Sequence, residues 1–309
     1  MDFFLTFQKV SVLFLLIVVG YIVGKTNIIS KNGQRELSNL VLRITMPATI
    51  ILALQLEYTK ERFDISLKIM FTIALAYIGM IGLSKLLSRL YRVSPNQRDI
   101  IEVASILPNN SFMGYPVVLS ILGREALFFA VLGAGLVFEV VSWTYGNLTV
   151  SRSSTASEKS ILRNILLSPG ILSIAIGFTL FILSIRIPEP LYTTMDLLSG
   201  ATSPLAMIVV GILLSRSDLK SCILNGKLYT IAITKLLVFP LTLFFILNIL
   251  GFSGMGLIIP VVILSMPTAA YVAIFSANSG NDTDLASQIV FIASLLSLAT
   301  IPLMLYLVS

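Results

Sequence analysis

Ten stretches of the chain are apolar almost without interruption: residues 4–24, 37–56, 67–90, 100–122, 127–150, 165–185, 191–215, 228–250, 255–278 and 285–308. A helix needs about 20 such residues to cross roughly 30 Å of hydrocarbon. Polar residues are gathered in the short joints between stretches, which leaves little chain for a soluble domain. The pattern predicts an all-α polytopic membrane protein of about ten transmembrane helices. The first stretch is expected to be a span rather than a cleavable signal, because it is too long for a signal core and lacks a basic leader.

Self-comparison divides the pattern in two. Gly20, Thr45 and Pro47 recur as Gly177, Thr202 and Pro204, each 157 positions further on, and Pro108 and Glu125 recur as Pro267 and Asp284, each 159 further on. A nearly constant offset across four helices marks an internal duplication. Each copy holds five crossings, and an odd number obliges the second copy to insert upside down. The expected organisation is a five-helix repeat at 1–150, a short cytoplasmic linker at 151–164 and a second, inverted repeat at 165–309. Such repeats are the architecture of many secondary transporters, since exchanging the conformations of the halves turns an inward-open state outward-open.

Two of the stretches carry breaks. The fourth reads Leu107-Pro-Asn-Asn-Ser-Phe-Met-Gly-Tyr-Pro116, with polar residues bracketed by two prolines and a glycine, and the ninth reads Ser265-Met-Pro-Thr-Ala-Ala-Tyr271. Proline removes a backbone donor and clashes with the preceding turn. Backbone freed at that depth must be buried in protein or line a wet cavity. Broken helices at matching places in inverted repeats are expected to cross near the midplane, each aiming the positive end of its second half at the crossing. Orphan N–H groups and the neighbouring amides suit an anion such as a carboxylate. The expected binding segment comprises Pro108, Asn109, Asn110, Ser111 and Gly114 from the first break, with Pro267, Thr268 and Ala269 from the second. Thr45-Met-Pro47 and Thr202-Ser-Pro204 form a further symmetric pair. Their hydroxyls are expected to repair the bonds the prolines free, making these positions hinges between a scaffold and a moving core.

Composition narrows the chemistry. With 56% apolar and 12% charged residues and a mean hydropathy of +0.96, the chain lacks the charge to coat a soluble body of this length. It has no histidine and one cysteine, Cys222, which excludes an internal disulfide, cysteine-rich metal sites and His-based triads. No nucleophile lies beside a base and no phosphate loop occurs, so neither an enzyme nor a cofactor or metal is expected.

The net charge of +6 is spread over the joints, a mark of membrane topology rather than of nucleic-acid binding. Lys25, Lys31, Arg35, Lys85, Arg89, Arg92, Arg98, Arg152, Lys159, Arg163, Arg216, Lys220 and Lys227 fall on one side, and chiefly Lys60, Arg62, Lys68, Arg124 and Arg186 on the other. The richer side is expected to face the cytoplasm, which puts both termini outside in a cell membrane. Asp282 and Asp284 then lie in a cytoplasmic joint as turn or helix N-cap residues, while Arg43 and Lys9, near helix ends, are expected to snorkel.

These residues resemble the auxin efflux carrier family, which includes the plant PIN-formed proteins and many prokaryotic carriers. The Leu107–Pro116 segment looks like that family's Leu-Pro-Asn-x-x-x-Met-Gly-x-Pro crossover. Pro204 with Gly211, Pro267, the Gly280-Asn281-Asp282 turn and the ending Leu298-Ala-Thr-Ile-Pro302 extend the likeness over essentially the whole chain. The resemblance implies a fold similar to bile-acid/sodium symporters and sodium/proton antiporters, an elevator motion of core against scaffold and a homodimer through the scaffold helices. It also implies organic-anion substrates, auxin in plants and dicarboxylates such as malate or malonate in some bacteria, with Asn109 as the substrate-contacting asparagine. The short joint between halves departs from plant members and points to a prokaryotic one. Thr268 stands where a larger polar side chain is often found, so substrate identity does not carry over.

Glu139 lies midway along the fifth stretch, where an ionised carboxylate costs about 2.5–3.5 kcal/mol and needs a partner, a cavity or a proton. Similar antiporters place an ion-binding acid on this helix. Lys235, within the eighth stretch, could pair with Glu139 or snorkel, and the two are the candidates for coupling to a proton or sodium; a structural, hydrogen-bonded Glu139 is the other reading. The expected function is a secondary active or facilitative carrier of small organic anions. The alternatives are a cation/proton antiporter of similar fold and a membrane sensor or structural protein.

Overall fold

The computed structural model describes residues 3–91, 93–152, 167–216 and 225–308. Arg92, Lys159, Arg163, Lys220, Cys222 and most of the joint between the halves lie outside the described residues. Those described form α1 (Phe3–Lys25), α2 (Lys31–Ala53), α3 (Lys60–Leu90), α4 (Pro95–Ile106), α5 (Asn110–Leu122) and α6 (Arg124–Val150), then α7 (Pro169–Ile182), α8 (Glu189–Ser215), α9 (Gly226–Ile249), α10 (Met255–Leu264), α11 (Tyr271–Ser279) and α12 (Thr283–Val308). Seven are long and apolar enough to span a membrane alone, and α5, α7 and α10 are shorter apolar helices. The fourth and ninth apolar stretches are each split, into α4/α5 and α10/α11, where their prolines predicted a break.

Starts are set by side-chain oxygens that accept orphan N–H groups. Ser30, Thr59, Ser94 and Ser168 cap α2, α3, α4 and α7, and Asp282 Oδ1 accepts from Leu285 N at 3.0 Å to cap α12. Asp282 also receives Gln97 Nε2 at 2.9 Å. Three of the helices have a π-helical turn ending two residues before a proline: Val41–Thr45 before Pro47, Asn110–Gly114 before Pro116 and Thr234–Val238 before Pro240. The wider turn relieves the clash of the proline ring with the preceding turn.

Outward faces are apolar: Leu15, Phe71, Leu75, Ile78, Leu197 and Ile249 are exposed, a surface that hydrocarbon accommodates and water penalises. Inside, α1 lies along α8 and α7 along α2. Glycines bring these backbones together. A methyl group on Gly211 would sit 2.6 Å from Tyr21 N, one on Gly20 2.8 Å from Ile208 C, and one on Gly177 2.8 Å from Leu54 Cδ1. Gly20 and Gly177 are counterparts under the 157-residue offset, and their helices pack on α8 and α2, which are counterparts too.

The joints gather at two ends. At one, Arg216 donates to Ile29 O, Arg152 pairs with Asp99 at 2.8 Å and Asn281 Nδ2 donates to Val150 O. At the other, Arg186 pairs with Glu57 at 2.8 Å, Gln55 meets Ile185 and Ile187, and Arg62 pairs with Glu125 at 3.2 Å. The first is the cation-rich end.

Candidate functional site

The two breaks meet. Residues 107–109 and 267–269 run antiparallel: Asn109 N donates to Pro267 O at 2.7 Å, Ala269 N donates to Leu107 O at 2.9 Å, and Pro108 faces Thr268 between them. This two-bond ladder satisfies backbone groups that lipid could not. Thr268 Oγ1 donates to Ala104 O at 2.9 Å, closing the carbonyl end of α4, and Lys235 Nζ donates to Leu264 O at 3.0 Å, closing that of α10. The segment of expected binding residues is therefore brought to one place, with Asn109, Asn110, Ser111, Thr268 and Ala269 all buried and Gly114 just behind, in contact range of Met266.

The two asparagines differ. Asn109 Oδ1 accepts from Phe112 N at 3.3 Å and so caps the π-helical turn that opens α5. Asn110 has no exposed surface, and neither its Nδ2 nor its Oδ1 has a partner. A buried amide with both groups unmet is costly and calls for a physical explanation.

A cavity of about 590 Å³ leads to this place from the cation-rich end. Its walls run from exposed Arg35, Asn39 and Asn278 past Leu213 and Leu214 to Phe112 and Ala270, between α2 and α8 on one side and α11 and α12 on the other. At the opposite end a smaller cavity of about 240 Å³ separates Thr49 and Ser203 from Leu119 and Leu127. There Arg124, at the start of α6, bonds Asp196 at 2.6 Å and Tyr192 at 2.9 Å on α8. This bridge was not anticipated; the lone acid Asp196 inside an apolar stretch was the available signal.

The two helices that carry the expected hinges also meet, through Thr49, which is not one of the expected residues. Thr49 Oγ1 and Thr202 Oγ1 lie 2.9 Å apart, tying α2 to α8. Thr45 and Thr202 bond the carbonyls of Val41 and Leu198, four residues back. Pro47 and Pro204 remove the donors to Arg43 and Gly200, so the hydroxyls do not repair the bonds the prolines free. A threonine hydroxyl on a helix reaches its own preceding turn, not the one freed by a proline two residues later.

Glu139 and Lys235 do not pair, and neither belongs to any ion pair among the described residues. Nor does Lys235 snorkel: it is fully buried, with its ammonium on the end of α10. Glu139 turns instead to the first turn of α7, where a methyl group on Gly170 would sit 2.6 Å from Oε1. Ser168 and Trp143 flank the carboxyl, with the phenols of Tyr77, Tyr115 and Tyr271 in electrostatic range. A helix N-terminus favours a negative group, yet Oε2 has no hydrogen-bond partner.

The sequence profile of the membrane transport protein family matches residues 5–305. An "Uncharacterized transporter" of Methanocaldococcus jannaschii is 29% identical over 302 residues, covering 95% of this chain and 96% of the relative. A second "Uncharacterized transporter", of Methanothermobacter thermautotrophicus, is 26% identical over 303 residues and 96% of both chains. A "Putative malonate transporter" of Rhizobium meliloti is 25% identical over 307 residues, covering 95% of this chain and 92% of the relative.

Proposed function

The chain belongs to the membrane transport protein family, that of the PIN-like auxin efflux carriers, and from that premise we propose that it carries small organic anions, carboxylates foremost, bound where α4/α5 and α10/α11 cross. Family and relatives are transporters, not enzymes. The observation that carries the reading is the unmet, fully buried amide of Asn110 at a place where two half-helix N-termini converge. The name of the Rhizobium relative favours a dicarboxylate of malonate size. A thermal-shift screen of purified protein against mono- and dicarboxylates and indole acids tests this. Stabilisation by at least one carboxylate is expected, and none across the panel would refute it.

The transport cycle is alternating access of the elevator type between two inverted five-helix repeats at 1–150 and 165–309, joined at 151–164, in a homodimer built through the scaffold helices. The cation-rich end is cytoplasmic, both termini lie outside, and the membrane is the cell's own. The cavity at the cytoplasmic end reaches Phe112 and Ala270 beside the crossing, while one of about 580 Å³ at the other end lies among Gln55, Glu57, Leu180 and Arg186; this difference and the Arg124–Asp196 bridge support an inward-open conformation, with Thr45, Pro47, Thr202 and Pro204 at the interface that slides. Asp196→Asn is expected to raise labelling, from outside, of a cysteine placed at Ser203 with Cys222 replaced. Half-exposed ion pairs contribute about 0.2–1 kcal/mol, so the rise should be severalfold at most. Unchanged labelling would mean the bridge does not hold the outer end shut.

Glu139 couples this transport to a proton; the carboxyl oxygen without a partner favours that role over a purely structural one. Glu139→Gln keeps the bulk and removes the exchangeable proton. The variant should bind substrate as the wild type does while its uptake loses its response to a pH gradient. A retained pH response would leave Glu139 as the residue that docks α7.

A further inference from the structure

Lys235 has no exposed surface, and its ammonium lies on the carbonyl of Leu264, the last residue of α10 before the break. Among the described residues no backbone N–H donates to that oxygen. The C-terminal end of a half-helix carries partial negative charge, and in folds with broken, crossed helices such ends and the unwound carbonyls beside them hold the coupling cation. The corresponding end of α4 is closed by a neutral hydroxyl, that of Thr268 on Ala104 O. The repeat counterpart of Lys235, 158 positions earlier and midway between the two observed offsets, is Tyr77, which is also neutral and buried, with its hydroxyl unpartnered. Among the described residues, the crossing thus has a basic side chain on a half-helix carbonyl end on one side only.

Among the described residues, the Lys235 ammonium has no anionic partner. The ion pairs among the described residues join Arg62 to Glu125, Arg124 to Asp196, Arg152 to Asp99 and Arg186 to Glu57, and Glu139 is turned to α7. A buried ammonium without a countercharge is unfavourable, and a fold keeps one where a charge arrives to balance it. Lys235's carbonyl partner, Leu264, lies three residues before Pro267, whose own carbonyl accepts from Asn109 N in the ladder.

We propose that Lys235 is a tethered cation standing in the place of a coupling sodium ion, so that the carrier binds its carboxylate without sodium and the ammonium neutralises one carboxylate charge during the crossing. This rests on the crossover reading of the binding site. It specifies the substrate as an anion with at least one ionised carboxylate, and it separates charge compensation by Lys235 from proton coupling by Glu139.

Two substitutions separate charge from hydrogen bonding. Lys235→Arg keeps the positive charge. Lys235→Gln keeps a donor for Leu264 O and loses the charge. Purified full-length wild type and both variants are titrated with malonate, acetate and indole-3-acetate by thermal shift, in sodium chloride and in choline chloride of equal ionic strength. The wild type should bind equally well in both salts, and Lys235→Arg should stay within about threefold of it. Lys235→Gln should melt near the wild-type temperature without ligand yet bind tenfold or more weakly. A wild-type response that needs sodium overturns the proposal and leaves the carboxylate site standing, as does wild-type affinity in Lys235→Gln. A wild type that responds to no carboxylate in either salt overturns the binding-site reading itself. Should Lys235→Gln fail to fold, the salt comparison on the wild type and Lys235→Arg decides.

Discussion

Asn110→Ala is expected to weaken carboxylate binding tenfold or more while leaving the ligand-free protein at least as stable as the wild type. Hydrogen bonds to a charged partner contribute roughly 1.5–3 kcal/mol, and about 1.4 kcal/mol is tenfold in affinity. Asn110 now holds a buried amide whose two polar groups bond nothing. Truncation removes that desolvation cost from the empty protein and removes the donor from the loaded one. Asn109→Ala should also lose affinity, with a different signature. Its Oδ1 caps the turn that starts α5, so the empty protein should soften by about 0.5–2 kcal/mol as well. Thr268→Ala should act mainly on stability, because its hydroxyl is spent on Ala104 O. Melting without ligand, measured beside affinity, distinguishes the three. Unchanged affinity in well-folded Asn110→Ala would move the anion site away from this amide.

What could be read along the chain was whatever leaves a local trace. The breaks at 107–109 and 267–269 were legible because proline acts on its own backbone, and their meeting followed from matched spacing. Which asparagine would be left unmet was not legible. Asn109 and Asn110 are adjacent and chemically alike, and only the turn geometry makes one a cap and the other a bare amide. Lys235 and Glu139 showed the limit more sharply. Two opposite charges inside a membrane invite pairing, but the phase of α9, shifted by its π-helical turn at Thr234–Val238, carries the ammonium to α10. The Arg124–Asp196 bridge joins residues from different halves of the chain; Asp196 stands out as a lone acid in an apolar stretch, but nothing local points to its partner. The membrane class and element order needed only hydropathy; the partners of each buried charge needed the packing.

Gly211→Ala is expected to destabilise the carrier by roughly 3 kcal/mol or more, while the same change at Gly200 in the same helix should be neutral or slightly stabilising. Overpacking typically costs 1–3 kcal/mol, and more where the neighbour cannot yield. At Gly211 the added methyl would meet backbone on three sides, Ile17 O, Tyr21 N at 2.6 Å and Gly20 Cα at 2.8 Å, and backbone within a helix does not step aside. Helices α1 and α8 would have to part. At Gly200 nothing lies within 4 Å of the new methyl, so only the gain in helix propensity, about 0.5–1 kcal/mol, remains. Without water to drive helices together, close approach at small residues is what holds such a pair. The consequence reaches the site, because Leu213 and Leu214, just beyond Gly211 on α8, line the cavity leading to the crossing. Thermal melting of the two variants in one detergent provides the measurement. Equal melting temperatures would show that α1 and α8 are not locked by this contact, and that the wall of the access path is softer than its packing implies.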